Sequence, residues 1–316
     1  QTLMSNSSLL LVVEYDGTRY HGFQRQSSTS IKPSKRPRIV NDGRKKADMC
    51  TIQDCLEDAI MKWKPDATLS SLRLRAAGRT DKGVHAKGQV VVVDICVKEE
   101  EDWEVIKSIN SRLPNDISIR SMSKCNPMLE PRHACIKKAY SYTIRFRRLK
   151  RDDSGQPLSI CQKGGPHSIR SAHDPPCLWV CPWALDDSLF QPICDSLTGD
   201  HDYSAFIHKS DRRNEGGSHS DRHRKTLHVF CVATSLVTED EKVPIVTAQF
   251  HLEARSFGRS MIRNLVGFVV DISRGKLPYA VLENMWTAEK ADLVHAAPAS
   301  GLCLDQVWLD IQSTGM

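Results

Sequence analysis

The sequence predicts an α+β fold, and the order of its apolar and polar segments is the main reason. Residues 8–15, SLLLVVEY, are typical of a buried strand, and the Asp16-Gly17 pair after them is typical of a turn. In the first half the predicted order is strand, helix, strand, strand, helix, strand, as in a split βαβ unit. The second half repeats this order with longer loops. We therefore expect two ferredoxin-like (RNP-like) halves, over 8–125 and 126–316, which share a mixed, mainly antiparallel central sheet with helices packed on one side and a cleft between the halves.

Apolar periodicity predicts two helices in the first half. Thr51 resembles an N-cap, with Asp54 three positions later as a short capping box. The helix that follows has an apolar stripe at helical spacing, made of Ile52, Leu56, Ala59, Ile60 and Trp63. The second helix is predicted at WEVIKSINSRL, residues 103–113. Strands are predicted at about 71–76, at QVVVVDICV and at DISIRSM.

The second half is predicted to contain three long strands, two long helices, a short helix near 278–287 and a last strand near 303–311. The long strands are AYSYTIRF, LHVFCVATSLV and IVTAQFHLEA. The helices are ALDDSLFQPICDSL, 184–197, and RSMIRNLVGFVVDISRG, in which Gly275 is placed as the C-terminal cap. Polar composition predicts an insertion at 27–48 and a long loop at 150–176.

Three basic clusters indicate an anionic partner. Lys and Arg number 44 against 38 Asp and Glu, so the net charge of +6 is modest and its distribution matters more. Seven Lys/Arg fall within 32–46, seven within 137–151 and six within 209–225. Clusters of this kind fit nucleic acid best. Each cluster taken alone is also compatible with a solvated loop.

The eleven cysteines are scattered without a CxxC motif, which predicts reduced core residues and an intracellular protein whose compartment stays open. One stretch contains residues that could form a zinc site: Cys161, His167, His173, Cys177 and Cys181. Its spacing matches no familiar ligand pattern, so we expect no metal. No apolar run approaches the roughly 18 residues that a membrane span requires, and we expect no membrane partner.

The stretch AAGRTDKGVHAKGQVVVVD, residues 76–94, places a lone carboxylate, Asp81, between Arg79 and Lys82. Gly78 and Gly83 allow a tight turn and close approach to a ligand. An ionised carboxylate that is held in place can act as a nucleophile, and basic neighbours keep it ionised and attract phosphates. Taken alone, an Asp on a glycine-flanked turn is more often structural, so both interpretations stay open at this point.

GRTDKGVHAKGQV closely resembles the catalytic motif of the tRNA pseudouridine synthase A (TruA) family. Six further blocks match that family in order between residue 10 and about 310, with breaks at 27–48, 150–176 and 207–221. They are EYDGTRYHGFQRQ, RLPNDISI, Arg132 with YSY at 140–142, GDHDYSAF, RSFGRSMIRNLVG and APASGLCL. Seven blocks in register make the resemblance specific.

The resemblance implies three catalytic residues. Asp81 falls on the aspartate that attacks the target uridine, after which the base detaches, rotates and rejoins through C5. Whether the acid attacks the ribose or acts through a glycal is left open. Tyr140 falls on the tyrosine that stacks on the extruded base, and Arg263 on the arginine that pairs with the aspartate. The family needs no cofactor and no metal, so none is expected here.

The resemblance also implies substrate contacts. Arg79 falls on the arginine that helps to displace the target nucleotide, and Leu302 on an apolar residue of the pocket wall. Lys137 and Lys138 lie where the family is basic just before its tyrosine. From their chemistry alone, Gln24 and Arg25 suit phosphate or base contacts, with simple solvent exposure as an equal alternative. His85 is expected to support the turn, and Tyr142 is left open between stacking and packing.

The function implied is isomerisation of uridine to pseudouridine in the anticodon arm of tRNA, at positions 38 to 40, with other tRNA or RNA positions as an alternative. The rival from another class is a catalytically silent tRNA-binding chaperone of the same fold. A third interpretation, an RNA N-glycosidase, is weaker because such an enzyme would normally activate water with a second acid. By analogy with the family, the partners are tRNA and a second copy of the chain in a homodimer.

Overall fold

The computed structural model describes residues 8–25, 50–95, 97, 101–149, 169–212, 223–238, 244–286 and 292–311. These residues form two compact units: unit 1 within Gln1–Ile136 and Leu304–Met316, and unit 2 within Lys137–Cys303. No helix of the described residues is long and apolar enough to cross a membrane.

The strands, in chain order, are β1 Ser8–Tyr15, β2 Arg75–Ala76, β3 His85–Val93, β4 Ile117–Cys125, β5 Cys135–Arg148, β6 Trp179–Leu185, β7 Gly199–Asp202, β8 Arg224–Thr238, β9 Ile245–Ala254 and β10 Leu302–Leu309. The α-helices are α1 Ile52–Trp63, α2 Leu69–Leu72, α3 Asp102–Asn110, α4 Phe190–Leu197, α5 Lys209–Arg212 and α6 Met261–Ser273. Short 3-10 helices lie at Gly17–Arg19, Asp187–Leu189, Ser204–Phe206, Tyr279–Asn284 and Ala299–Gly301.

The sheet of unit 1 has the strand order β4-β1-β3-β10, and the two-residue β2 also pairs with β3. β1 is antiparallel to both of its neighbours, with Leu10 opposite Val92 of β3 and Leu11 opposite Met122 of β4. The four valines of β3 are buried, as expected for an apolar run in a central strand. This central strand begins directly after the glycine-flanked turn of Asp81.

The helices of unit 1 follow the predicted periodicity. α1 begins with a complete capping box, in which Thr51 and Asp54 satisfy each other's backbone amides. Its buried face includes Ile52, Leu56 and Ile60, as the apolar stripe predicts. α3 packs on β4 and also contacts α1. Along the chain the elements keep the predicted order, with the short α2 added before β2.

The sheet of unit 2 has the strand order β5-β9-β8-β7, and β6 pairs with β5. The β5–β9 and β8–β9 pairs are antiparallel, whereas β6 runs parallel to β5. Phe190 of α4 packs against Phe146 of β5 and Phe250 of β9, with ring centroids 5.4 and 5.2 Å apart. α6 is buried along almost its whole length and contacts α4. An apolar helix of this kind needs cover on several sides.

The α+β class and the mixed, mostly antiparallel strand pairing are confirmed. Two local predictions are wrong: residues 71–72 end α2 and β2 starts only at Arg75, and the predicted helix at 184–197 is shorter. Its first two residues, Ala184 and Leu185, belong to β6, and α4 begins at Phe190. The insertion at 27–48 and most of those at 150–176 and 207–221 lie outside the described residues. The domain bounds at 125 and 126 stay a prediction.

Candidate active site

Asp81 lies in a tight turn between β2 and β3, which we call the Asp81 turn (residues 78–84). The Val84 amide donates to the Asp81 carbonyl over 3.1 Å and closes the turn. Gly83 has a φ of +76°, a left-handed conformation that favours glycine. The Asp81 side chain is half-buried and Arg79 is exposed. The turn therefore carries a carboxylate and an accessible guanidinium two residues apart, an arrangement that suits a nucleophile next to a phosphate contact.

The loop that follows β1 holds the Asp81 turn through the backbone. The Phe23 amide donates to the Thr80 carbonyl over 3.0 Å, and the Gly83 amide donates to the Tyr20 carbonyl over 3.3 Å. At Gly22, where φ is +93°, a Cβ atom would lie 2.8 Å from the Thr80 carbonyl oxygen. Only glycine lets the two backbones approach this closely. The turn is thus fixed on both sides of Asp81.

Two buried side chains of β3 also fix this region. The Gln89 side-chain amide donates to the Gly78 carbonyl over 2.9 Å, at the start of the Asp81 turn. The Nδ1 atom of buried His85 lies 3.3 Å from the Gly17 amide nitrogen and 3.1 Å from Asp16 Oδ1. His85 therefore ties the end of β1 to the start of β3. This arrangement agrees with its expected role in supporting the turn.

The sequence did not identify Tyr20, Gly22, Phe23 and Gln89 as supports of the turn. The available signal was the density of glycine and aromatic residues in YDGTRYHGF, which is typical of a loop with close backbone contacts. The contacts of Tyr20, Gly22 and Phe23 join residues about sixty positions apart, and Gln89 contacts Gly78 eleven positions away. Periodicity carries no information on such pairs.

Gln24 and Arg25 follow Phe23 directly, and both are exposed. The Arg25 guanidinium forms ion pairs with Asp54 (2.7 Å) and with Glu57, both on α1. Arg25 therefore anchors the loop to α1 as well as facing solvent. Contact of Gln24 and Arg25 with RNA stays a prediction.

In unit 2, Tyr140 and Tyr142 lie on the same face of β5, since side chains two positions apart share a face. Tyr140 is buried, and its ring meets that of Phe257 edge to face with centroids 5.2 Å apart. Tyr142 is completely buried, and its hydroxyl donates to the Pro298 carbonyl over 2.8 Å. The contact with Phe257 fixes the plane of the Tyr140 ring.

Arg263 lies in the first turn of α6, and it forms hydrogen bonds with the segment at 295–301 that leads into β10. Its Nε donates to the Ala297 carbonyl over 2.6 Å, and the Ala297 amide donates back to the Arg263 carbonyl over 2.9 Å. The side chain is half-buried. Among the described residues of unit 2, the Arg263 guanidinium therefore contacts the Ala297 carbonyl. Its pairing with Asp81 stays a prediction.

Residues 295–301 lie pressed between α6 and β5. A Cβ at Gly267 would be 1.8 Å from the His295 carbonyl oxygen, and one at Gly301 would be 2.5 Å from the Tyr142 ring. Leu302 follows Gly301 at the start of β10 and is buried. Unit 2 thus brings Arg263 and Leu302 to the two ends of one tightly held segment, next to the strand that carries Tyr140.

Lys137 and Lys138 precede Tyr140 on β5. Lys137 Nζ forms an ion pair with Glu253 Oε2 at 2.9 Å, and Lys138 is buried. The hydrogen bond from Lys137 holds the pKa of Glu253 below its usual value, against the effect of burial. Contact of these two lysines with RNA stays a prediction.

Among the described residues, no group of three or more His, Cys, Asp or Glu side chains could hold a metal ion. Cys161 and His167 of the conceivable zinc stretch lie outside the described residues.

Comparison with known proteins agrees with the resemblance. The family model described as tRNA pseudouridine synthase matches residues 11–131 and 193–308, well over half of the chain. Asp81, Arg79, Arg263 and Leu302 lie inside the matched ranges, whereas Tyr140 lies between them.

Full-length relatives carry the same description. The tRNA pseudouridine synthase A of Thermodesulfovibrio yellowstonii is 29% identical over 95% of this chain and 98% of its own length. Those of Methylobacterium nodulans (29%, covering 94% of each chain) and Geobacter sulfurreducens (28%, covering 95% of this chain and 98% of its own) are similar in extent.

The match defines the class of the protein as an isomerase, a tRNA pseudouridine synthase. The chain belongs to the tRNA pseudouridine synthase family.

Proposed function

We propose that the protein isomerises uridine to pseudouridine in the anticodon stem-loop of tRNA, at positions 38 to 40, with Asp81 as the nucleophile. The observation that carries the proposal is the Asp81 turn: a carboxylate on a backbone held from both sides, within the range that matches the family. A nucleophile held in this way loses little entropy at the moment of reaction.

The reaction is an internal exchange of bonds. The bond between ribose C1′ and uracil N1 breaks, the base rotates, and a bond from C1′ to C5 forms. The proton of C5 leaves and N1 gains one, so that substrate and product have the same composition. Asp81 either attacks the ribose directly or acts through a glycal, and both routes use the same carboxylate. No bound group besides this chain's side chains is needed for the balance.

The remaining catalytic roles are those that the family resemblance implies, and the local contacts of the residues support them. Tyr140, with its ring plane set by Phe257, stacks on the extruded base. Arg263, held by Ala297, pairs with the Asp81 carboxylate and fixes its orientation. Arg79 is exposed beside Asp81, so it contacts the phosphate of the displaced nucleotide. Base flipping costs a few kcal/mol, which such contacts offset.

The RNA contacts and the assembly complete the proposal. Gln24 and Arg25 contact the RNA near the Asp81 turn, Lys137 and Lys138 track its backbone, and Leu302 forms the apolar wall of the pocket. The two halves are ferredoxin-like and share one sheet, with the catalytic cleft between them. The working form is a homodimer, and sedimentation at micromolar protein should show twice the mass of one chain; a monomer would contradict this part.

The position of modification is tested with purified protein and unmodified tRNA transcripts. Carbodiimide labelling followed by primer extension should give new stops at uridines 38 to 40. Stops only outside the anticodon arm would overturn the position and support the alternative of another RNA site. Tight tRNA binding without any pseudouridine would support the chaperone. Release of free uracil would support the N-glycosidase.

A further inference from the structure

The residue that precedes Asp81 is fixed by a buried pair of hydroxyl groups. The Tyr15 hydroxyl oxygen lies 2.8 Å from Thr80 Oγ1, and both residues are buried. This distance is the most favourable one for an O–H···O hydrogen bond. Tyr15 is the last residue of β1, so the bond connects the end of a central strand to the Asp81 turn.

The backbone of Thr80 is held independently. Its carbonyl accepts from the Phe23 amide over 3.0 Å, and the Phe23 ring lies beside the Tyr15 ring with centroids 6.2 Å apart. Thr80 is therefore fixed at its side chain and at the carbonyl that joins it to Asp81. Since consecutive Cα atoms are separated by a rigid peptide unit, the place of the Asp81 Cα follows from that of Thr80.

We propose that Tyr15 is a positioning residue for the reaction: its hydroxyl holds Thr80, and through Thr80 it holds the Asp81 carboxylate against the target nucleotide. Tyr15 is buried and its hydroxyl acts through Thr80, so it is a positioning residue and not a catalytic one. The inference rests on the role proposed above for Asp81.

The effect of losing this bond falls on the chemical step. A misplacement of the reacting group by about 1 Å can cost about 100-fold in rate. Of the RNA contacts proposed above, that of Arg79 lies on the Asp81 turn; the others lie on separate segments, and removal of a buried hydroxyl leaves them in place. We therefore expect kcat to fall while KM stays nearly constant. Because a loss of folded protein would also lower the apparent kcat at constant KM, the rate is expressed per folded enzyme, with the folded fraction of each variant measured by circular dichroism.

The test uses steady-state pseudouridine formation on a tRNA transcript. Tyr15→Phe keeps the ring against Phe23 and removes only the hydroxyl, and Thr80→Val keeps the shape of the other partner. Each should lower kcat about 10- to 100-fold with KM within about threefold of wild type. The double variant should be no slower than the slower single variant, because the two hydroxyls act as one unit.

Tyr203→Phe is the matched control. Tyr203 is completely buried, and its hydroxyl donates to the Leu197 carbonyl over 2.8 Å at the end of α4; it belongs to unit 2, whereas the Asp81 turn belongs to unit 1. This variant loses a buried tyrosine hydrogen bond as Tyr15→Phe does, and it should keep the wild-type kcat. If Tyr15→Phe lowers kcat no more than Tyr203→Phe does, the inference is overturned.

Two further variants separate the possible failures. If Tyr15→Phe does not fold, the comparison of Thr80→Ser with Thr80→Val tests the inference instead. Thr80→Ser keeps the hydroxyl and should retain at least half of the wild-type kcat. Equal kcat values for these two variants would overturn the inference. Asp81→Asn is the reference. If it is inactive while Tyr15→Phe is fully active, only the positioning role fails. If Asp81→Asn is as active as wild type, the role proposed for Asp81 fails, and positioning by Tyr15 fails with it.

Discussion

The hydroxyl of Tyr142 donates to the carbonyl of Pro298 over 2.8 Å, and this bond ties β5 to the segment that leads into β10. Tyr142 is completely buried, and burial raises the pKa of its hydroxyl well above the usual value, although the charge of Arg263 acts in the opposite direction. The hydroxyl is therefore protonated and available as a donor at neutral pH. From the sequence, the role of Tyr142 was undecided between stacking on RNA and packing in the core. Its complete burial favours packing.

Replacement of Tyr142 by phenylalanine should destabilise the protein. The Pro298 carbonyl would lose its donor, and the expected cost is about 1–3 kcal/mol for a buried group left without its partner. Urea unfolding followed by circular dichroism measures the difference. An unchanged urea midpoint would show that the hydrogen bond from Tyr142 to Pro298 does not stabilise the segment that leads into β10.

Gly22→Ala should impair the reaction. The new Cβ would lie 2.8 Å from the Thr80 carbonyl oxygen, and the backbone φ of +93° is itself unfavourable for alanine. The turn must move to relieve the clash, and we expect kcat to fall at least about tenfold.

Gly199→Ala is the matched control for this prediction. Its φ of +115° is also positive, but the nearest atom to a new Cβ is the side-chain Nε2 of His201, at 3.3 Å. This variant therefore carries comparable backbone strain without a clash against the Asp81 turn, and it should keep kcat close to wild type. Equal losses of kcat in the two variants would show that strain alone is responsible.

Gly267→Ala should destabilise the protein, although alanine is the better helix former by about 1 kcal/mol. A Cβ at this position in α6 would be 1.8 Å from the His295 carbonyl oxygen, and the helix and the 295–301 segment would have to separate. Overpacking of this kind typically costs about 1–3 kcal/mol. A rise in the thermal midpoint would mean that helix propensity outweighs the close approach.

The ion pair of Glu253 with Lys137 should make stability depend on pH. Because the hydrogen bond from Lys137 lowers the folded-state pKa of Glu253, the pair contributes stability above the unfolded-state pKa of glutamate, about 4.3, and loses it as the pH falls through the folded-state value. Glu253→Gln should therefore be less stable than wild type by up to about 1 kcal/mol at pH 7. This difference should shrink towards pH 3. A difference that is the same at both pH values would contradict the linkage.

The element order was predictable because apolar periodicity records which face of each helix and strand is buried. α1 with its Thr51 cap and the long β5 and β9 strands follow this rule, whereas β8 is mostly exposed over residues 231–237. The sequence missed β6 because its parallel pairing with β5 depends on a distant partner, and because the residues after it favour a helix. β7, with four residues, is too short to show a period.

The candidate site was predictable as a set of residues but not as a structure. Asp81, Arg263 and Leu302 could be named because their segments resemble a known family. The supports of the Asp81 turn could not, since Tyr15, Gly22 and Gln89 act through single hydrogen bonds and close approaches that no spacing rule records. Burial of Lys138 was likewise not evident from its basic neighbours.

The most direct test of the central claim is pseudouridine formation by Asp81→Asn, measured by mass spectrometry of tRNA digests, with tRNA affinity measured in parallel. Asp58→Asn, which removes one exposed carboxylate from α1, controls for the change in net charge. Asp81→Asn should form no pseudouridine and bind tRNA within a few-fold of wild type, while Asp58→Asn should keep full activity. Pseudouridine formation by Asp81→Asn at the wild-type rate would contradict the role of Asp81 as nucleophile.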